Sequence, residues 1–160
     1  FQDFMLLDGL TVRENVLVPR IIQGKVDRET ENRCSRLLEL FGIREIGDKY
    51  PVEISGGEKQ RAAVARSLIN NPLMILADEP TGNLDSKSSR RVIESFISAQ
   101  EQMSATIFMV THDSFAASFC DRVILLKDGK IYRQMEKMGD RTAFLDELLA
   151  AIKEMSGDEV

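Results

Sequence analysis

Leu73-Met74-Ile75-Leu76-Ala77 is an unbroken apolar run, closed in front by Pro72 and behind by Asp78-Glu79-Pro80. A run this short and without polar alternation predicts a strand buried on both faces. A second run, Ala105–Val110, follows an amphipathic stretch, Ser86–Gln102, long enough for a crossover helix. Strand, helix, strand in that order predicts an α/β fold: a parallel sheet flanked by helices and joined by right-handed crossovers. In such sheets the chemistry gathers at the carboxyl ends of the strands.

The first third of the chain has a different texture. Thr11-Val12-Arg13-Glu14 has the form of a capping box, so a helix begins there and runs to about Ile22, with Gly24 interrupting the pattern. A second helix from Asp27 to Phe41 puts Cys34, Leu37, Leu38 and Phe41 on one face, and Gly42 stands where a left-handed C-terminal cap belongs. Residues 3–54 therefore form a mostly helical unit. Gln60–Asn70 predicts another helix, ended before Pro72. Towards the end, Arg122–Leu126 and Lys130–Arg133 flank Asp128-Gly129, a strong two-residue hairpin signal. Thr142–Met155 is a last helix, with Phe144, Leu145, Leu148, Leu149 and Ile152 on its inner stripe.

Composition narrows the function classes. A net charge of −5 over 160 residues argues against a clamp for nucleic-acid backbones. No apolar run approaches the roughly 18–20 residues that cross a bilayer. Cys34 and Cys120 have no metal-ligand spacing, which predicts two reduced thiols in a cytosolic protein.

Three constellations carry chemistry. Asp78 and Glu79 stand at the carboxyl end of a buried strand, where desolvated carboxylates are costly unless a cation or hydrogen bonds compensate. Hard oxygens of this kind suit Mg²⁺, which leans on one or two carboxylates plus substrate phosphates; the plainer reading is acidic residues opening a turn before Pro80. Ser55-Gly56-Gly57-Glu58 is a second capping box, yet capping does not account for two glycines in a first helical turn, each costing up to about 1 kcal/mol against Ala. Bare backbone N–H groups at the positive end of a helix suit an approaching phosphate, with the Ser55 hydroxyl beside them. His112, the only histidine, follows the second strand. It is either an ordinary surface side chain or an imidazole able to hydrogen-bond a terminal phosphate. Asp85 and Ser86 are N-cap candidates for the next helix.

Taken in order, these motifs resemble those of the ABC transporter ATPases. Ser55-Gly56-Gly57-Glu58 is similar to their signature motif, with Glu58 where Gln is commoner. Leu73–Glu79 resembles the Walker B strand, Asn83-Leu84-Asp85 the D-loop, His112 the switch histidine, and Phe1-Gln2 the start of the Q-loop. The resemblance implies a partial RecA-like parallel sheet with an α-helical signature subdomain. Its divisions would be 1–60 for the Q-loop start and signature subdomain, 61–135 for the C-terminal part of the ATPase core, and 136–160 for a helical extension. It implies ATP and Mg²⁺ as cofactors. Asp78 would hold Mg²⁺ with Gln2, Glu79 would polarise the attacking water, and His112 would fix the transition-state geometry. Ser55, Gly56, Gly57 and Glu58 would face the γ-phosphate of ATP bound on a second subunit, with Asp85 near it.

No Gly-x-x-x-x-Gly-Lys-[Ser/Thr] occurs in these 160 residues, and the chain starts at Phe1. The expectation is a C-terminal piece of a longer ATPase subunit, inactive alone, with apolar surface left for a neighbour to cover. The resemblance implies two partners, a second ATPase subunit and a membrane permease, at the cytoplasmic face of the membrane, and no nucleic acid. Asp78–Ser86 resembles the macrolide, lipoprotein-release and cell-division group. Phe1–Asp8 and Thr11–Asn15 resemble the bacitracin and antimicrobial-peptide branch more, which implies export or detoxification of such peptides. The alternatives are a non-transporting ATPase that signals through a membrane partner and, against the acidic balance and the lack of heptads, a DNA-maintenance ATPase. Leu6, Leu7, Leu10 and Val16 are candidates for the apolar floor of a permease-docking groove.

Overall fold

The computed structural model describes residues 4–82 and 84–157. The chain forms two compact units, Phe1–Val110 and Thr111–Val160.

In the first unit, α1 (Val12–Ile22) starts at the predicted capping box, with Thr11 accepting from the Glu14 N–H. Helix α2 (Arg28–Leu40) is capped by Asp27 and buries Cys34, Leu37 and Leu38, with Phe41 directly after it also buried. Gly42 takes a φ of 60°, the left-handed value expected of it. Two short 3-10 turns, Arg44–Ile46 and Pro51–Glu53, lead into α3 (Gly56–Leu68). Strand β1 (Met74–Asp78), helix α4 (Ser86–Met103) and strand β2 (Thr106–Val110) follow as predicted. The strands are parallel, with Met74 opposite Thr106 and Asp78 opposite Val110.

Arginines bind this unit together through backbone carbonyls. Arg61 Nε donates to Phe41 O at 3.0 Å, Arg33 Nη2 to Leu68 O at 2.9 Å, and Arg66 to Phe4 O and Met5 O at 3.0 and 2.6 Å. Asn15, fully buried in α1, gathers the N-terminal loop. Its Nδ2 donates to the carbonyls of Leu7, Leu10 and Thr11, and its Oδ1 accepts the Leu7 N–H at 2.7 Å.

Two expectations need correction. The parallel strands are not buried on both faces: Ile75 and Ala77 join the core built with α1 to α4, but Met74, Leu76, Phe108 and Val110 are exposed. Among the described residues of this unit helices cover one face only, and apolar composition alone cannot tell how many faces are covered. Val16 is likewise a core residue with no exposure, not groove floor, whereas Leu7 is half exposed.

In the second unit a short helix, α5 (Ser114–Ala117), precedes an antiparallel hairpin of β3 (Arg122–Lys127) and β4 (Lys130–Glu136). Asp128 and Gly129 both take positive φ, 51° and 73°, the conformation a two-residue hairpin turn requires. Helix α6 (Arg141–Ser156) buries Phe144, Leu148 and Ala151. Leu149, assigned to the inner stripe from sequence, is half exposed, because small Ala151 takes the inward position instead. Arg141 lies over the edge-to-face pair Phe115 and Phe119 and ties α6 to α5.

Candidate functional site

At the end of β1 the chain leaves regular geometry. Asp78 is exposed, and Glu79 takes a φ of 45°, the left-handed region that a residue with a side chain rarely enters. Its N–H donates to Val110 O at 2.8 Å, which carries the pairing of β1 with β2 one residue past the strand. The Gly82 N–H closes back on Glu79 O at 3.1 Å. Both bonds use backbone atoms, so the turn holds Glu79 in place while its side chain is half-buried at the strand tip. Strain of this kind, at about 1–3 kcal/mol, persists where surrounding structure imposes it, and it concentrates at functional sites.

The helix start assembles as its sequence dictates. Ser55 N–H and Oγ both donate to Glu58 Oε2 at 2.8 Å, and the Glu58 N–H returns to Ser55 Oγ at 3.4 Å. The Ser55 backbone bond, followed by its hydroxyl, holds the Glu58 carboxyl below its ordinary range. Ser55 is exposed, Gly56 half-buried and Gly57 buried. The two glycines therefore differ: Ser55 and Gly56 are open to solvent, while Gly57 is enclosed.

The turn after the acidic pair ends in Asp85, the N-cap of α4. Its carboxylate accepts from the N–H groups of Lys87 and Ser88 and from Ser88 Oγ at 2.6 Å. The Ser88 hydroxyl is the main cause of a lowered Asp85 pKa. Gly56 faces Leu84 of this turn, and Gly57 faces Ser88. The structure thus brings Ser55–Glu58 and Leu84–Ser88 together, and the turn links them to Glu79. Sequence reasoning missed Ser88. The signal was present: Asp85 with Ser88 three residues on is a capping pair with a hydroxyl in the third position.

His112 opens the second unit, two residues beyond β2, and is exposed. Gln2 and Asn83 lie outside the described residues. Among the described residues no three His, Cys, Asp or Glu side chains converge on a metal position. Asp78 contributes a single exposed carboxylate, a donor set that suits only a hard cation taking its remaining oxygens from water and phosphate.

Residues 1–82 match the family model described as ABC transporter. The chain is 46% identical over 158 residues to an uncharacterized ABC transporter ATP-binding protein, YvcR, of Bacillus subtilis, covering 99% of this chain and 61% of that protein. It is 50% identical over 142 residues to the bacitracin export ATP-binding protein BceA of Halalkalibacterium halodurans, covering 89% and 56%. Among solved structures, a dimeric post-hydrolysis state of the ATP-binding cassette MJ0796 bound to ADP and Pi superposes with a TM-score of 0.73 at 38% identity, covering 88% and 62%. The chain spans about three fifths of the length of the curated relatives it matches.

Proposed function

The chain belongs to the ABC transporter family, and from that membership we propose that it forms part of an ATP-hydrolysing subunit that drives a membrane transporter. The observation that carries the reading is Glu79: a carboxylate beside Asp78 at the tip of a parallel strand, held in left-handed backbone by Val110 and Gly82. In this reading Glu79 orients the attacking water and Asp78 holds Mg²⁺ together with Gln2. His112 donates to the terminal phosphate. Bound Mg²⁺ supplies charge neutralisation at the phosphates, and the rest of catalysis is positioning. Ser55 and Gly56 meet the γ-phosphate of nucleotide on a second subunit, with Gly57, Glu58 and Asp85 supporting them, so nucleotide joins two subunits and hydrolysis parts them.

Residues 1–60 then serve as the Q-loop start and signature subdomain, 61–135 as part of the ATPase core, and 136–160 as an extension. In this reading the subunit sits at the cytoplasmic face of the membrane through a permease; no helix among the described residues is long and apolar enough to cross a membrane. Its 50% identity to a bacitracin export protein supports antimicrobial peptides as the substrate class. Residues 1–160 alone contain no phosphate-gripping Gly-x-x-x-x-Gly-Lys loop and neither bind ATP tightly nor hydrolyse it.

The test is Glu79→Gln in the full-length parent. Magnesium-dependent ATPase activity falls by about 10²–10⁴-fold while ATP-driven dimerisation persists. Unchanged turnover removes Glu79 from the mechanism. A purified 160-residue chain with ATPase activity that Glu79→Gln abolishes overturns the reading of these residues as an incomplete site.

A further inference from the structure

A side chain at Gly57 would fit only if its neighbour gave way by a few tenths of an ångström. A Cβ there would stand 3.0 Å from Ser88 Cβ and 3.1 Å from Ser88 Oγ, and a Cβ on Gly56 would meet Leu84 Cδ2 at 3.4 Å. Ser88 is held from its other side: its hydroxyl donates to Asp85 Oδ2 at 2.6 Å and its N–H to Asp85 Oδ1 at 3.1 Å. One serine therefore touches both the glycine start of α3 and the cap of α4. Each helix start is locked by its own cap, Ser55 with Glu58 and Asp85 with Ser88, and the two locked turns meet where glycine leaves a gap one side chain wide.

We infer that Ser88 is a positioning residue: packed against Gly57 and bonded to Asp85, it sets the register of the start of α3 against the Leu84–Asp85 turn. The inference rests on the functional reading above, since this register affects turnover only if both turns face nucleotide. It also gives Gly57 a use other than admitting an anion. Ser88 crowds the space a Gly57 side chain would fill, and adding one requires Ser88, itself held by Asp85, to give way.

The experiment is a swap in the full-length parent, comparing Gly57→Ala, Ser88→Gly and the double variant. Gly57→Ala lowers Tm by roughly 3–8 °C. It also lowers kcat for ATP by about tenfold or more, while KM stays within about threefold because the phosphates are gripped elsewhere. Ser88→Gly alone lowers kcat by loosening the same register. In the double variant the methyl introduced by Gly57→Ala fills the space left by Ser88. Its Tm and kcat then rise above those of Gly57→Ala, short of the parent's by the lost Ser88–Asp85 hydrogen bond. A double variant no faster than Gly57→Ala overturns the inference. So does recovery of Tm without kcat, which would make the contact structural only. Failure of the functional reading is seen separately, as a wild-type parent that hydrolyses nothing.

Discussion

Glu79 and Val110 are joined by a backbone hydrogen bond of 2.8 Å that pins a carboxylate residue at a φ of 45°. For an L-residue with a side chain this conformation costs about 1–2 kcal/mol, and glycine escapes the penalty. Glu79→Gly in the full-length parent is therefore expected to unfold later than Glu79→Gln by up to about 1 kcal/mol, while both lose turnover. Denaturant midpoints of the two variants decide the matter. If the glycine variant unfolds first, the surrounding turn does not impose strain at this position.

Asn15 supports the loop that precedes α1. All its amide capacity goes to Leu7, Leu10 and Thr11, and its side chain is shut off from water. Asn15→Ala leaves buried groups without partners and is expected to cost about 2–4 kcal/mol by chemical denaturation. Asn15→Asp is the sharper test, because it turns a donor facing three carbonyls into an anion. That carboxyl is expected to titrate high in the folded state, so the variant's stability should recover as pH falls through the folded-state pKa. A loss that does not change with pH would mean that burial among these carbonyls does not raise the new carboxyl's pKa.

Helix starts in this chain share one acid-sensitive device. Glu14, Asp27, Glu58 and Asp140 each accept backbone N–H groups at a helix start, and those bonds hold each carboxyl below its ordinary value. Asp85 does the same with the Ser88 hydroxyl as its chief donor and backbone N–H groups after it. A depressed folded pKa means stability present above the unfolded value and lost as pH falls through the folded one. The ordinary values are 3.8 for the aspartates and 4.5 for the glutamates. Stability should thus hold from neutrality down to about pH 4.5 and decline below it. Asp85→Asn, which retains an acceptor but not the charge, should narrow its gap from wild type as pH drops through that window. A constant gap from pH 7 to pH 3 would show that charge at this cap is irrelevant.

The capped helices and both parallel strands were legible because their signals are local: Thr11 with Glu14, Ser55 with Glu58, Asp128-Gly129, and two apolar runs around an amphipathic stretch. What escaped depends on contacts distant in sequence. Met74, Leu76, Phe108 and Val110 have the composition of a doubly covered sheet, and only the placement of the helices reveals that, among the described residues of the first unit, one face is uncovered. Gly57 reads in sequence as an opening for phosphate, and its neighbour Ser88 lies 31 positions away. The long reach of Arg66 to Met5 has no local signature either, since an arginine on a helix is ordinarily a solvated charge.

Leu7 offers the most direct test of partner docking. It is half exposed, yet its backbone is fixed at both ends, the N–H to Asn15 Oδ1 and the carbonyl to Asn15 Nδ2. On the proposed reading, an apolar side chain held outward on an ordered backbone contributes little to the fold and is available to a partner's apolar surface. Leu7→Glu in the full-length parent is expected to leave Tm within about 1–2 °C and basal ATPase unchanged, because the side chain already meets water. Binding to detergent-solubilised permease should weaken by about tenfold or more, since a charge would be buried without a partner. If Tm and ATPase fall together with binding, Leu7 belongs to the core and the docking face lies elsewhere.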